Sequence, residues 1–142
     1  MISQESEMFS LSVRDNIVLG QTIPNQDIID ALREVDLYEW IGALEDGLDT
    51  LVGEKGIKLS AGQKQRINLI RGLLLDRDIY LLDEPTSHLD AETEKKVISF
   101  LQKRLHNKTA VIVSHRPAIQ SICERFYEFK GHEMRETTHI HQ

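Results

Sequence analysis

Between Pro24 and Leu44 the apolar residues Ile28, Leu32 and Val35, then Leu37, Trp40, Ile41 and Leu44, fall at helical spacing. The pattern predicts two short amphipathic helices, with Pro24 suited to a helix start and Trp40 to a core anchor of this layer. From about Ala61 to Leu75, Ile67, Ile70 and Leu74 share one face of a longer helix. A fourth such face runs over Ala91–His106 through Val97, Ile98, Leu101 and Leu105. Asp90 is placed to N-cap that helix, and Glu92 and Glu94 complement its positive end. Two segments break the helical period and become continuous apolar runs, Ile79–Leu82 and Thr109–Val113. Bounded by breakers, such runs are expected to be strands buried on both faces. Strand, helix, strand at this spacing is a βαβ unit, so the two strands are expected to be parallel with a right-handed crossover. A further short helix follows. Phe126–Phe129 and Glu133–Glu136 around Lys130-Gly131 then predict a terminal hairpin. Met1-Ile2-Ser3 has room only for the end of a strand, and Leu48–Lys58, punctuated by Gly53 and Gly56, reads as a loop.

Parallel strands end on the same sheet edge, which brings Ser114-His115 near Asp83-Glu84, where α/β proteins place their ligands. Core packing does not call for two adjacent acids, and like charges there oppose each other unless a cation or a proton intervenes. Ion binding with acid/base work accounts for Asp83 and Glu84; an acid pair at a strand exit without chemistry is the better reading only if it stands alone. Leu59-Ser60-Ala61-Gly62-Gln63 opens the third predicted helix, the one from about Ala61. Ser60 and Gln63 complete a capping box, while Ala61 and Gly62 leave backbone N–H groups open to an anion. An ordinary capped helix competes with that reading of the segment in isolation. Lys64, Gln65 and Arg66 read as a solvated polar face.

Composition narrows the classes. The 142 residues suffice for one domain with a real core, and 40% hydrophobic with 28% charged residues is ordinary for a globular chain. With 17 basic residues against 23 acidic ones the net charge is −6, and no basic block stands out, so nucleic acid is not the expected partner. Cys123 stands alone, which rules out an internal disulfide, suits a reducing compartment, and is expected as a small buried or half-buried residue in a helix. The chain opens without a basic and apolar leader and holds no run near the about 20 apolar residues that span a bilayer. Any link to a membrane is therefore expected through a partner or another part of the protein. His139 and His141 lie in a tail expected to be frayed and are only weak evidence for a metal site.

Taken in order, Leu59–Gln63, Ile79–Glu84, Ser87-His88-Leu89-Asp90 and His115 resemble the signature motif, Walker B strand, D-loop and switch histidine of ATP-binding cassette (ABC) ATPases. Gln4 sits where that family's Q-loop glutamine falls. Thr50-Leu51-Val52-Gly53-Glu54-Lys55-Gly56 is similar to the loop preceding the signature in ABC exporters. Phe9-Ser10 through Ser12-Val13-Arg14-Asp15-Asn16-Ile17 is similar to the exporter segment that meets the membrane domain. The resemblance runs from Gln4 to about Glu136, and five ordered motifs leave little room for accident.

The resemblance implies an α/β fold: a partial P-loop NTPase-like ABC ATPase domain over residues 1–142, with a parallel sheet core, a helical subdomain and a C-terminal hairpin. Its helical, signature-bearing part would occupy about 10–75 and its Walker B core 76–136. It further implies that Asp83 holds Mg²⁺ through water and Glu84 positions the water that attacks the γ-phosphate. His115 would contact that phosphate, and Gln4 would reach the metal or the attacking water and couple the site to a transmembrane domain. Ser60, Ala61, Gly62 and Gln63 would serve the ATP of a second nucleotide-binding domain, with Asp90 acting across the same interface. Localisation would be the cytoplasmic face of the cell membrane. Three departures stand out. Ala61 replaces the commoner glycine, with a mild effect expected. His88 replaces the commoner alanine. No Gly-x-x-x-x-Gly-Lys-Ser/Thr stretch, the Walker A loop, occurs in the 142 residues. The expectation is a domain without its first third, inactive alone, with an unpaired sheet edge and exposed apolar surface. The leading reading is the C-terminal part of an exporter's ATPase domain, from a truncated or split gene. The alternative is a catalytically incomplete partner that lends only its signature to another subunit. A DNA-repair or chromosome-organising ABC ATPase would carry a long coiled-coil insertion before the signature, and only about 55 residues separate Gln4 from Leu59.

Overall fold

Ile79–Asp83 (β1) and Thr109–Val113 (β2) pair in parallel, with Ile79 opposite Thr109 and Asp83 opposite Val113. The computed structural model describes residues 1–3 and 7–138. On the other side of β1, Ile2 bridges Leu82 in parallel, donating to Leu81 O at 2.8 Å and accepting from Asp83 N at 2.9 Å. Ile2 thus adds a single bridge on that side of β1. A separate antiparallel hairpin joins Phe126–Lys130 (β3) to Glu133–Thr137 (β4) through Gly131, whose φ of 64° suits glycine.

Helices occupy the rest. Val13–Val18 (α1), Asn25–Glu34 (α2), Tyr38–Gly42 (α3) and Ala61–Leu73 (α4) precede β1, and Ala91–Arg104 (α5) connects it to β2. Short 3₁₀ turns lie at Gly47–Asp49 and Pro117–Ile122. One apolar core joins Ile17, Ile28, Leu32, Leu37, Ile67, Leu69, Ile70, Leu82, Phe100 and Leu101. Burial of each such side chain stabilises the fold by about 1.5–3 kcal/mol. Gly72 lets α4 approach the strand end, because the Ile2 side chain fills the space of a Cβ. Helix α5 starts at Ala91 behind the predicted Asp90 cap and ends two residues earlier than the pattern suggests.

Four expectations are corrected. The strands are not buried on both faces: Tyr80 and Leu82 point into the helical core, whereas Ile79 and Leu81 are 66% and 46% exposed and Val111 and Val113 are 55% and 56% exposed. A continuous apolar run carries no polar alternation to tell one covered face from two, and here the helices cover one. Trp40 is only partly buried, with Leu37 and Ile41 taking the core positions beside it. Cys123 lies just past the 3₁₀ turn, half-buried. Burial raises its thiol pKa. Finally, Gln65 and Arg66 are not a solvated face; Gln65 is 4% exposed. Helix α1, which no periodicity announces in six residues, is capped by Ser12 accepting from Asp15 N. His139 and His141 lie outside the described residues.

Candidate functional site

The C-terminal ends of β1 and β2 bring two side-chain groups together. The Glu84 carboxyl, 9% exposed, accepts from His115 N–H at 3.1 Å through Oε1 and from the Ser114 hydroxyl at 3.4 Å through Oε2. His115 Nε2 stands 3.6 Å from Glu84 Oε1, with 97% of the imidazole side chain exposed. The ring is free to reach outward while its backbone holds the acid. Glu84 adopts φ 47°, a left-handed conformation that costs a non-glycine residue of order 1–3 kcal/mol and survives only where neighbours fix it. Its N–H donates to Val113 O at 2.8 Å and its C=O accepts from Gln65 Nε2 at 2.8 Å. Asp83 lies beside it, half-buried, and no hydrogen bond or ion pair engages its carboxylate among the described residues. A partnerless oxygen donor at a strand end fits a hard cation held through water.

The following turn is pinned. Thr86 is fully buried, and Arg116 donates to Ser87 O at 2.9 Å and Leu89 O at 3.1 Å. Arg116 also stands 3.8 Å from Glu94 Oε2, itself largely buried. Asp90 is exposed and occupied: Oδ1 accepts from Glu92 N and Thr93 N at 3.0 Å each, and Oδ2 from the Thr93 hydroxyl at 2.8 Å. The Thr93 N–H, followed by its hydroxyl, pulls the Asp90 carboxyl below the ordinary carboxylate range.

Helix α4 opens with the predicted capping box. Ser60 Oγ accepts from Gln63 N at 3.1 Å and Gln63 Oε1 accepts from Ser60 N at 2.9 Å. Neither the Ala61 nor the Gly62 N–H is used by the cap, and Ser60 and Ala61 are exposed. These open donors at a helix N-terminus fit an anion. A Cβ on Gly62 would stand 3.0 Å from His88 O, so this glycine lets the turn after β1 lie close to α4. Beside it a groove of about 890 Å³ runs past Ala61, Lys64 and His88 to Phe9 and Val52.

Sequence reasoning missed three polar anchors of this region. Gln65 binds the β1 exit from inside. Arg66 donates to Gly62 O, Val35 O and Asp36 O, and desolvation lowers its pKa. Arg71 holds helix α1 through Asn16 O at 2.6 Å and Asn16 Oδ1 at 3.2 Å. All three sit on α4, and apart from Gly62 O the partners named here lie 19 or more residues away, beyond the reach of a local pattern. Gln4 lies outside the described residues.

Comparison with known proteins shows the family. A family model described as ABC transporter matches residues 1–87. The chain is 42% identical over 132 residues to the ABC-type transporter MDR1 of Aureobasidium melanogenum, covering 91% of this chain and 10% of that protein. It is 36% identical over 131 residues to an ATP-dependent lipid A-core flippase of Burkholderia thailandensis, covering 92% and 22%. A bacterial Atm1-family ABC exporter solved with ATP bound superposes with a TM-score of 0.78 at 30% identity, over 87% of this chain and 22% of that one. The chain therefore spans about a tenth to a fifth of the length of these relatives.

Proposed function

The chain belongs to the ABC transporter family, and we propose that it is the C-terminal part of the ATP-hydrolysing domain of an ABC exporter. In this reading residues 10–75 form the helical, signature-bearing part and 76–136 the Walker B core. One observation carries it: the Glu84 carboxyl is held 3.1 Å from His115 N at the shared end of two parallel strands, with Asp83 unengaged beside it. Glu84 takes a water's proton or orients that water toward a γ-phosphate, and the exposed His115 imidazole contacts the same phosphate. Asp83 would hold Mg²⁺ through water; that ion neutralises phosphate charge. Gln4 reaches the metal or the water and links the site to a transmembrane domain. The open N–H groups of Ala61 and Gly62, with Ser60 and Gln63, cap the nucleotide of a second nucleotide-binding domain, and Asp90 faces the same interface. Coupled in this way, the domain works at the cytoplasmic face of the membrane. No described helix is long and apolar enough to cross it.

Walker A supplies the backbone cradle and lysine for the β and γ phosphates, and the 142 residues hold no such stretch. We infer that the chain alone neither binds nor hydrolyses ATP appreciably. The test is ATP turnover on mixing the purified chain with an ABC subunit that carries Walker A. Stimulation that disappears with Glu84→Gln supports the proposal; a dimer without any stimulation contradicts it. The exposed, self-capped Ser60 start also favours a second reading, in which the chain lends only its signature. Stimulation that survives Glu84→Gln and is lost with Ser60→Ala would select that reading.

A further inference from the structure

Gln65 is one turn past the capping box, at a position that reads as solvent-facing, yet it is 4% exposed and every polar atom of its side chain is used. Its Nε2 donates to Glu84 O at 2.8 Å and to Ser87 Oγ at 3.1 Å, and its Oε1 accepts from His88 N at 3.2 Å. These partners fix which end of the amide is which: a backbone carbonyl needs a donor, and a backbone N–H needs an acceptor. A buried amide with all its partners supplied is costly to remove, since its loss strands the groups it served.

From these contacts we propose that Gln65 is a positioning residue for Glu84, setting the backbone conformation that aims the Glu84 carboxyl at His115. The argument is geometric. Glu84 stands at φ 47°, where a side chain is disfavoured, and its peptide groups are tied on both sides, N–H to Val113 O and C=O to Gln65. With both ends tied, the Cα–Cβ direction is set, and it carries the carboxyl to the His115 N–H. Gln65 touches neither His115 nor the Glu84 carboxyl, so it acts only through the backbone it holds. Arg116 braces the same turn through Ser87 O and Leu89 O. Helix α4 thus carries both the open cap at Ser60–Gln63 and the residue that aims the acid.

The catalytic meaning of this placement rests on the proposed ATP hydrolysis, but the placement itself can be tested without nucleotide. The experiment is residue-resolved amide exchange by NMR on the 142-residue chain. Gln65→Met should speed exchange roughly tenfold at His88 N–H, which loses its own partner, and also at His115 N–H, whose partner is Glu84. Leu69 and Phe100 N–H report that the fold persists. Faster exchange at His88 with His115 unchanged would overturn the inference and leave Gln65 as a simple loop anchor. Should the methionine variant fail to fold, Gln65→Glu is read above neutral pH: it keeps an acceptor for His88 and loses the donor to Glu84 O. His115 alone should then accelerate, and an unchanged His115 overturns the inference. Mixed with a Walker-A-bearing subunit, Gln65→Met should lower kcat roughly 10- to 100-fold with KM for ATP within about twofold. A raised KM at unchanged kcat would overturn the catalytic meaning. Absent turnover in the unaltered mixture would count against the proposed function alone, and the exchange result would still decide the placement.

Discussion

Around the start of helix α4 the bonds are local: Ser60 and Gln63, three residues apart, satisfy each other and leave an exposed, open end. Around Glu84 the bonds are distant: Val113, Ser114 and His115 lie about 30 residues away and Gln65 lies 19 away. The first region is complete without the rest of the chain and presents donors outward. The second exists only because two parallel strands and a helix meet. A capped, outward-facing helix end can be built from sequence neighbours alone. An acid that must point in one direction against its backbone preference needs a fold around it.

The largest expected effect separates chemistry from fold at the distant region. Glu84→Gln keeps an oxygen for the His115 N–H, so the thermal midpoint should stay within a few degrees. Turnover in the mixed assembly should fall by roughly 10²–10⁴-fold. Equal loss of stability and turnover would mean that the carboxyl is structural. At the local region, Ser60→Ala should cost about 1 kcal/mol in urea unfolding and leave exchange at His115 N–H unchanged. A response at His115 would show that the two regions are not separable in this way.

The smallest effect concerns Asp90, a second local cap. Its folded carboxyl, held by the Thr93 N–H and hydroxyl and the Glu92 N–H, titrates below the ordinary carboxylate value. The unfolded chain therefore binds this proton more readily. The cap's charge-dependent contribution is full above the ordinary value, about pH 4, and is lost as pH falls through the lower folded one. Asp90→Asn removes that titration. The difference in thermal midpoint between the two chains should shrink from about pH 5 to about pH 3, and a difference independent of pH would refute the assignment.

The same contrast explains what could be read in advance. Ser60 with Gln63, and Asp90 ahead of α5, are legible because a cap and its partner sit within three residues. The meeting of Glu84 with His115 is legible because a βαβ unit leaves both strand ends on one edge, whatever the packing details. Gln65 is illegible: a polar residue flanked by Lys64 and Arg66 looks solvated until the β1 exit folds over it. One-sided exposure of Ile79, Leu81, Val111 and Val113 is equally hidden, since apolar composition states what a face tolerates and not what covers it. Helix α1 falls between these cases. Ser12 and Asp15 carry a start signal, but six residues give no period to support it.

On the proposed function, the two regions would contribute the acid end of an ATP site and an outward-facing cap, and the 142 residues hold no Walker A stretch. Calorimetric titration of Mg-ATP into the purified 142-residue chain tests this most directly. The account predicts no binding in the micromolar range for the chain alone, with binding and turnover developing once a Walker-A-bearing subunit is added. Micromolar affinity of the chain by itself would contradict it.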